Sequence, residues 1–190
     1  MYFHSSETNL PWYAIRVQSN FETVASTALR GKGYQEFLPL YKTSRRWSDR
    51  VNQAGRPLFP GYLFCRFNVQ ARILPILTTP GVIAIVSAGR IPIPVPDDQI
   101  AAVQAVLRSG LPALPWPYLS VGSLVLIERG PLAGLEGIAV NVDKKHRLVV
   151  SISMLQRSVA VEVERDWVRP IAPRPTQYVA PFDPRSRLSA

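Results

Sequence analysis

Side chains able to do chemistry are sparse in this chain. Its histidines are His4 and His146, too few for either a Ser-His-Asp site or a histidine-rich metal centre. Asp97 and Asp98 could act as general acids. They follow Pro96 at the head of an apolar-periodic stretch, however, where carboxylates complement the positive end of a helix dipole. Cys65 is the single cysteine, so no intrachain disulfide is possible, and its apolar setting Tyr62-Leu63-Phe64-Cys65 predicts a buried, inert thiol. Gly130, Gly134 and Gly137 superficially match a phosphate-binding loop. A P-loop needs Gly-Lys-Ser/Thr running into a helix, whereas Gly137 runs into the alternation Ile138, Val140, Val142. The expectation is a protein that is not an enzyme and needs no cofactor or metal.

What remains is binding chemistry. Lys42, Arg45, Arg46, Arg50 and Arg56, with Trp47 among them, would suit phosphate contact plus base stacking; a solvated hairpin tip explains the same residues equally well. The formal charge of +9 and pI near 10.2 point to polyanionic partners, although solubility alone would also account for them. The excess is uneven: residues 12–109 carry 12 Lys/Arg against 5 Asp/Glu, and residues 121–171 carry 7 against 6.

The elements that must position these residues follow from periodicity. Residues 12–18 read as a strand, and Ser19 with Glu22 has capping-box spacing for a helix carrying Phe21, Val24, Ala25, Ala28 and Leu29 on one face and stopping at Gly31 or Gly33. Residues 35–47 look extended, 48–57 form a polar connection and Leu58 to Phe67 a further strand, giving a hairpin with a long tip. A short helix follows Asn68, with Pro75 breaking its interior or beginning a second turn. Val82 to Val86 is a buried strand and Ser87-Ala88-Gly89-Arg90 a tight turn. A second helix runs from Pro96-Asp97-Asp98 through Ile100, Val103, Val106 and Leu107 to Gly110. This order describes an α+β layer with a mostly antiparallel sheet.

Residues 110–120, GLPALPWPYLS, hold three prolines and no charge, which predicts an irregular linker. Beyond it, apolar residues alternate at Leu124 and Leu126, Ile138 to Val142, Leu148 to Met154 and Val159 to Val163, a pattern that fits a small all-β barrel over 121–171. Residues 1–11 read as a flexible N-terminus, and 172–190, with four prolines and three arginines, as a basic disordered tail. The first residues lack a signal peptide and no stretch is long enough to span a membrane, so the expected setting is cytoplasmic, without membrane partners.

On these residues the chain resembles the NusG-type transcription elongation and antitermination factors. The opening WYAI, FPGYLF at 59–64, TPGV at 79–82 and PIPVPDDQI at 92–100 resemble the family's N-terminal domain over 12–109, and VGSLVLIERGPLAGLEGIAVNVD at 121–143 resembles its KOW domain. The resemblance implies an α+β N-terminal domain followed by a small SH3-like KOW barrel. It also implies a monomer that docks on the clamp helices of the largest RNA polymerase subunit and suppresses pausing or termination. The matching polymerase-binding positions are Phe59, Tyr62 and Phe64, with Tyr13 a weaker match. Along one strand Tyr62 and Phe64 face one side and Leu63 and Cys65 the other, and the core side is assigned to Leu63 and Cys65. In some members the non-template DNA strand is touched as well, which would fall to Lys42, Arg45, Arg46, Arg50 and Arg56.

In the second domain the resemblance implies recruitment of a small-subunit ribosomal protein or the termination factor Rho. The matching positions are Met154, Leu155 and Arg157 between the third and fourth strands, with Leu132 in the first turn. Leu155 and Gln156 stand where housekeeping members commonly have an aromatic residue and glycine, which puts the Rho contact in doubt. With Leu132 and Leu135, the proline-rich linker and the basic tail, these departures resemble the operon-specific RfaH, LoaP and UpxY groups, while the core motifs equally suit a housekeeping factor. The period-2 Val/Ile pattern argues for a stable barrel rather than the helical hairpin that RfaH can adopt. The alternative of another class is an RNA-binding ribosomal or assembly protein using the barrel turns, against which the near-neutral charge of 121–171 counts.

Overall fold

The computed structural model describes residues 10–47, 50–117, 123–142 and 145–171; His4, the hairpin tip at 48–49 and the tail from 172 lie outside them. The first sheet is built around β1 (Trp12–Val17), whose every second residue serves one face. It is flanked by β5 (Tyr62–Arg66) and β6 (Val82–Ile85), with β2 (Gln35–Phe37) beyond β5 and the short β9 (Pro94–Val95) also on β1. All pairings are antiparallel, with Ala14 opposite Phe64 and Ile15 opposite Leu63. Tyr13, Ile15 and Val17 join Leu63, Cys65 and Ile85 under α1 (Glu22–Gly31) and α2 (Val69–Leu77). Trp12, Ala14 and Phe64 face the other way, toward Ile100, Val103 and Val106 of α3 (Asp97–Arg108). Both faces of β5 are therefore core.

Several local expectations are corrected. Ser19 and Glu22 form no capping box: Phe21 is the N-cap and makes no side-chain cap bond. Glu22 instead turns inward, and its carboxylate accepts a hydrogen bond from the Gly61 amide (2.9 Å). The inward face of α1 is Glu22, Ala25, Ser26 and Leu29, while Phe21 and Val24 are exposed. In α2 the break falls at Arg72 (φ −132°, ψ 27°), three residues before Pro75, consistent with the steric demand a proline ring makes on the preceding turn. Asn68 caps it by accepting from the Gln70 amide (2.9 Å). The hairpin pairs β3 (Leu40–Trp47) with β4 (Arg50–Pro57) as a separate two-stranded sheet, so residues 50–57 are strand rather than connection. β6 is the sheet's edge, with Ile83 half-exposed. The expected tight turn at Ser87 to Arg90 closes the miniature pair β7 (Ser87–Ala88) and β8 (Ile91–Pro92).

The second sheet has six antiparallel strands in the order β10-β14-β13-β12-β11-β15, with β10 at Ala113–Pro117, β11 at Ser123–Ile127, β12 at Glu136–Val142, β13 at Lys145–Ile152, β14 at Arg157–Val163 and β15 at Val168–Pro170. Its ends do not pair with each other, so no closed barrel is seen among the described residues. Its all-β character agrees with the Val/Ile alternation and excludes a helical hairpin in this state. Part of the expected linker is a strand: β10 pairs with β14, Leu114 opposite Ala160 and Trp116 opposite Ser158. Pro115 and Pro117 stand two apart, so both missing donors fall on one side of the strand, which an edge strand leaves open. Gly137 has ordinary backbone angles, but a Cβ there would lie 2.8 Å from both Leu148 Cδ1 and the Val149 carbonyl. The glycine motif thus contributes close approach at 137 and positive φ at Gly130 and Gly134.

Candidate functional site

FPGYLF is shaped by a turn. Gly61 (φ 81°) lets the chain reverse between β4 and β5, the Tyr62 amide donates to the Phe59 carbonyl (3.0 Å) and the Val17 amide to that of Gly61 (2.9 Å). Together with the Glu22 contact, these bonds fix the turn against β1 and α1. The aromatic rings it delivers form a row across the α3 face. Phe59 meets Phe64 edge-on at 5.6 Å, Phe64 stacks with Phe37 at 6.1 Å, and Phe37 meets Trp12 edge-on at 6.4 Å. Arg66 closes the row, its guanidinium 4.9 Å from the Trp12 ring centroid and paired with Asp97 at 2.5 Å.

Phe59 and Phe64 are wholly buried, and Tyr62 is half-buried. The assignment of only Leu63 and Cys65 to the core is therefore corrected: their face of β5 is core, and so is the Phe64 face. Tyr13 is not brought together with the other three aromatics; it lies on the opposite sheet face, 4.8 Å from Phe67, where burial raises its phenol pKa. Cys65 is buried as expected. Burial first, then the Glu36 carboxylate, push its thiol up to about 12, with Arg72 opposing. Metal-binding groups of three or more His, Cys, Asp or Glu are absent among the described residues, and none of the described helices is long and apolar enough to cross a membrane.

The aromatic face is covered by the second sheet. One continuous apolar core includes Phe59, Phe64, Ile100 and Val103 together with Val125, Leu148, Val150, Ile152 and Val159. At its edge the segment between β13 and β14 touches the first sheet through polar groups. Gln99 of α3 donates from Nε2 to Ser153 Oγ and accepts at Oε1 from the Ser153 amide, both at 3.1 Å. Arg157 lays its guanidinium 5.6 Å from the Tyr62 ring centroid. The segment itself is a 3-10 turn, Ser153–Leu155, ending at Gln156 in the left-handed region (φ 49°, ψ 44°). Gln156 is held by bonds from its amide (3.1 Å) and side chain (2.9 Å) to the Ser153 carbonyl.

This geometry brings three expected positions together, Tyr62 with Arg157 and, in the same turn, Leu155, which is partly buried against the shared core. Met154 lies in that turn, and its side chain is outside the described set. Leu132 is 2% exposed and turned inward, apart from the Met154–Arg157 segment. Lys42, Arg45, Arg46, Arg50 and Arg56 all fall on the β3–β4 hairpin, with Arg45 opposite Asn52, Arg46 opposite Val51, Trp47 opposite Arg50 and Arg56 opposite Tyr41. Arg56 is exposed. Gln99 was not anticipated, and Glu22 was expected only as a capping residue; each is a polar residue in a helix, and no local motif points to the contact it makes here.

Comparison with known proteins places this geometry in context. The family model for the transcription termination factor NusG matches residues 10–104. The chain is similar to the transcription termination/antitermination protein NusG of Vibrio vulnificus (strain CMCP6), 26% identical over 166 residues that cover 80% of this chain and 91% of the relative. It is likewise similar to that of Escherichia coli (strain K12), 25% identical over 171 residues covering 80% and 92%. Among solved structures, "Domain interaction in Thermotoga maritima NusG" shares the fold with a TM-score of 0.53 at 22% identity, covering 88% of this chain and all of that one.

Proposed function

The chain belongs to the NusG family of transcription termination and antitermination factors, which are not enzymes, and from that premise we propose that it acts on RNA polymerase with two surfaces that cover each other until a partner separates them. The first is the α3-side aromatic face, where Tyr62, backed by Phe59 and Phe64, docks on the polymerase clamp helices. The second is the turn carrying Met154, Leu155 and Arg157, which recruits a ribosomal protein; the departure at Leu155 and Gln156 disfavours Rho. The basic hairpin lies along the non-template DNA strand.

The observation that carries this reading is the contact of Arg157 with Tyr62 beside the paired hydrogen bonds of Gln99 and Ser153. A half-buried aromatic on a sheet face makes a good anchor, because it buries a large area at small entropic cost. Phe59 and Phe64 serve as the packed support that holds it. The test is Tyr62→Ala in the full chain, assayed by binding to a purified elongation complex. The expected loss is about 2 kcal/mol, a hot-spot magnitude, with the melting temperature little changed. Unaltered affinity in the folded variant would remove this face from the interface.

A further inference from the structure

The α3-side face of the first sheet carries an arginine at each end, and the two are placed differently. At the Trp12 end, Arg66 lays its guanidinium over the ring and is paired with Asp97. At the Tyr62 end stands Arg16, directly opposite Tyr62 in β5 and opposite Ala84 in β6. With a strand paired on either side of it, Arg16 cannot swing off an edge of the sheet, and alternation along β1 puts its side chain on the face of Trp12 and Ala14. Those two are buried, yet Arg16 is exposed. The cover provided by α3 and the second sheet therefore ends between Ala14 and Arg16. Past that point lies an uncovered strip of Tyr62, Arg16 and Ala84, the first and last half-buried.

Arg16 makes no hydrogen bond or ion pair among the described residues. Two carboxylates next to this part of the sheet are engaged elsewhere. Glu22, on the α1 side, accepts from the Gly61 amide. Asp97 serves Arg66 beside Trp12, four residues from Arg16 along β1 and so about 13 Å away at roughly 3.3 Å per residue. The charged group that the second sheet adds here is a further cation, Arg157, 5.6 Å from the Tyr62 ring centroid. Tyr62 thus has one guanidinium against its ring and another residue of the same sign across the ladder, with no carboxylate in the row. Such a strip is complementary to an acidic surface, and the second sheet supplies the opposite of what would complement it.

Resting on the reading that this face docks on polymerase, we infer that Arg16 decides which helix surface the face accepts, by pairing with a carboxylate on the partner helix that covers Tyr62. Its position also gives it a place in the order of events. Arg16 stands outside the cover, so it is available while the second sheet is still seated and makes the first contact with the partner's acidic surface. Tyr62 then contributes buried area as the sheet withdraws, and the partner brings to the strip the charge that the second sheet lacks. A cation at the rim of an interface acts mainly on the association rate and its salt dependence, and these are the quantities Arg16 governs. Phosphate is the other anion a guanidinium takes, and the experiment separates the two.

The experiment measures association and dissociation rates of the full chain on polymerase core enzyme free of nucleic acid, across a salt series. Arg16→Gln should slow association about fivefold at low salt, with dissociation and melting temperature little changed. The difference should vanish near about 1 M salt, where the Debye length falls to about 3 Å. Arg16→Glu should associate about fivefold more slowly again, because it sets like charge against the carboxylate. Arg16→Lys should recover most of the rate, since a point charge suffices for steering. A merely structural role for Arg16 would produce neither this order nor its loss in salt. Equal rates for Arg16→Gln and the unaltered chain, a deficit that salt leaves in place, or equal rates for the Glu and Gln variants would overturn the proposal. So would a deficit seen only when a DNA–RNA scaffold is bound, which would assign Arg16 to phosphate. Tyr62→Ala tests the underlying reading separately: unaltered core-enzyme binding by that variant removes the docking face, whereas weakened binding by it together with unaltered Arg16→Gln rates removes the Arg16 inference alone.

Discussion

Removing Gln99 and Arg157 side chains together should loosen the contact between the two sheets without touching either core. Gln99→Ala deletes both 3.1 Å bonds to Ser153, exposed neutral bonds that contribute about 0.5–1 kcal/mol each. Arg157→Ala deletes a cation–π contact on a half-exposed ring, worth about 0.5–1 kcal/mol. The pair together shifts the balance between covered and open arrangements by about 2 kcal/mol, or roughly 30-fold. If the covered arrangement predominates, apparent affinity for polymerase rises by up to that factor, because the fraction of competent molecules rises with it. Tyr62 is left intact, so the gain cannot come from a new anchor. The assay is fluorescence anisotropy of the labelled full chain against a purified elongation complex, with thermal melting as the control for folding. A change below twofold in a variant of unaltered stability would refute the reasoning. It would mean that the shared apolar core, not the polar rim, decides the arrangement.

Phe64→Ala should lower stability by about 3–5 kcal/mol through the cavity it leaves, since Phe64 is wholly buried between Phe37 and Phe59; chemical denaturation reads the loss, and a cost below about 1 kcal/mol would contradict the packing. Gly137→Ala should destabilise the second sheet by about 1–3 kcal/mol, because the new methyl would meet both Leu148 and the Val149 carbonyl at 2.8 Å, measured by the same method. Cys65, with its pKa raised from 9.0 to about 12, favours the folded state below pH 9, and that contribution fades as pH climbs toward 12 and the folded thiol ionises. A thiol reagent should accordingly react with native protein at pH 8 far more slowly than with urea-unfolded protein, and equal rates would contradict the burial.

The elements with strong local chemistry were legible in the sequence. α3 begins where Pro96-Asp97-Asp98 precedes the spacing of Ile100, Val103 and Val106, and its bounds, Asp97–Arg108, match that signal. The hairpin was legible, and its first strand falls within the extended 35–47, but its second strand was not, because residues 50–57 are polar and carry little β signal. β10 was hidden by prolines whose harmlessness depends on being at an edge, a fact of tertiary pairing. For the site, the alternation of β5 correctly separated Tyr62 and Phe64 from Leu63 and Cys65. It could not show that α3 and the second sheet bury Phe64 as fully as α1 and α2 bury Leu63 and Cys65, while Tyr62 stays half-buried. Tyr13 lies apart from the other three aromatics for a related reason: its parity on β1 sends it to the face of Phe67. The Gln99–Ser153 contact spans 54 residues and joins two ordinary polar side chains, so no sequence spacing encodes it.

The central claim is that the face bearing Tyr62 exchanges the chain's own second sheet for polymerase. The most direct measurement is the distance between a spin label on the exposed side of α3 and one on β14, taken on the full chain alone and again in the elongation complex. A single short distance in the free protein that gives way to a long or broad one on the polymerase is the expected result. The same short distance in both, with polymerase fully bound, would contradict it.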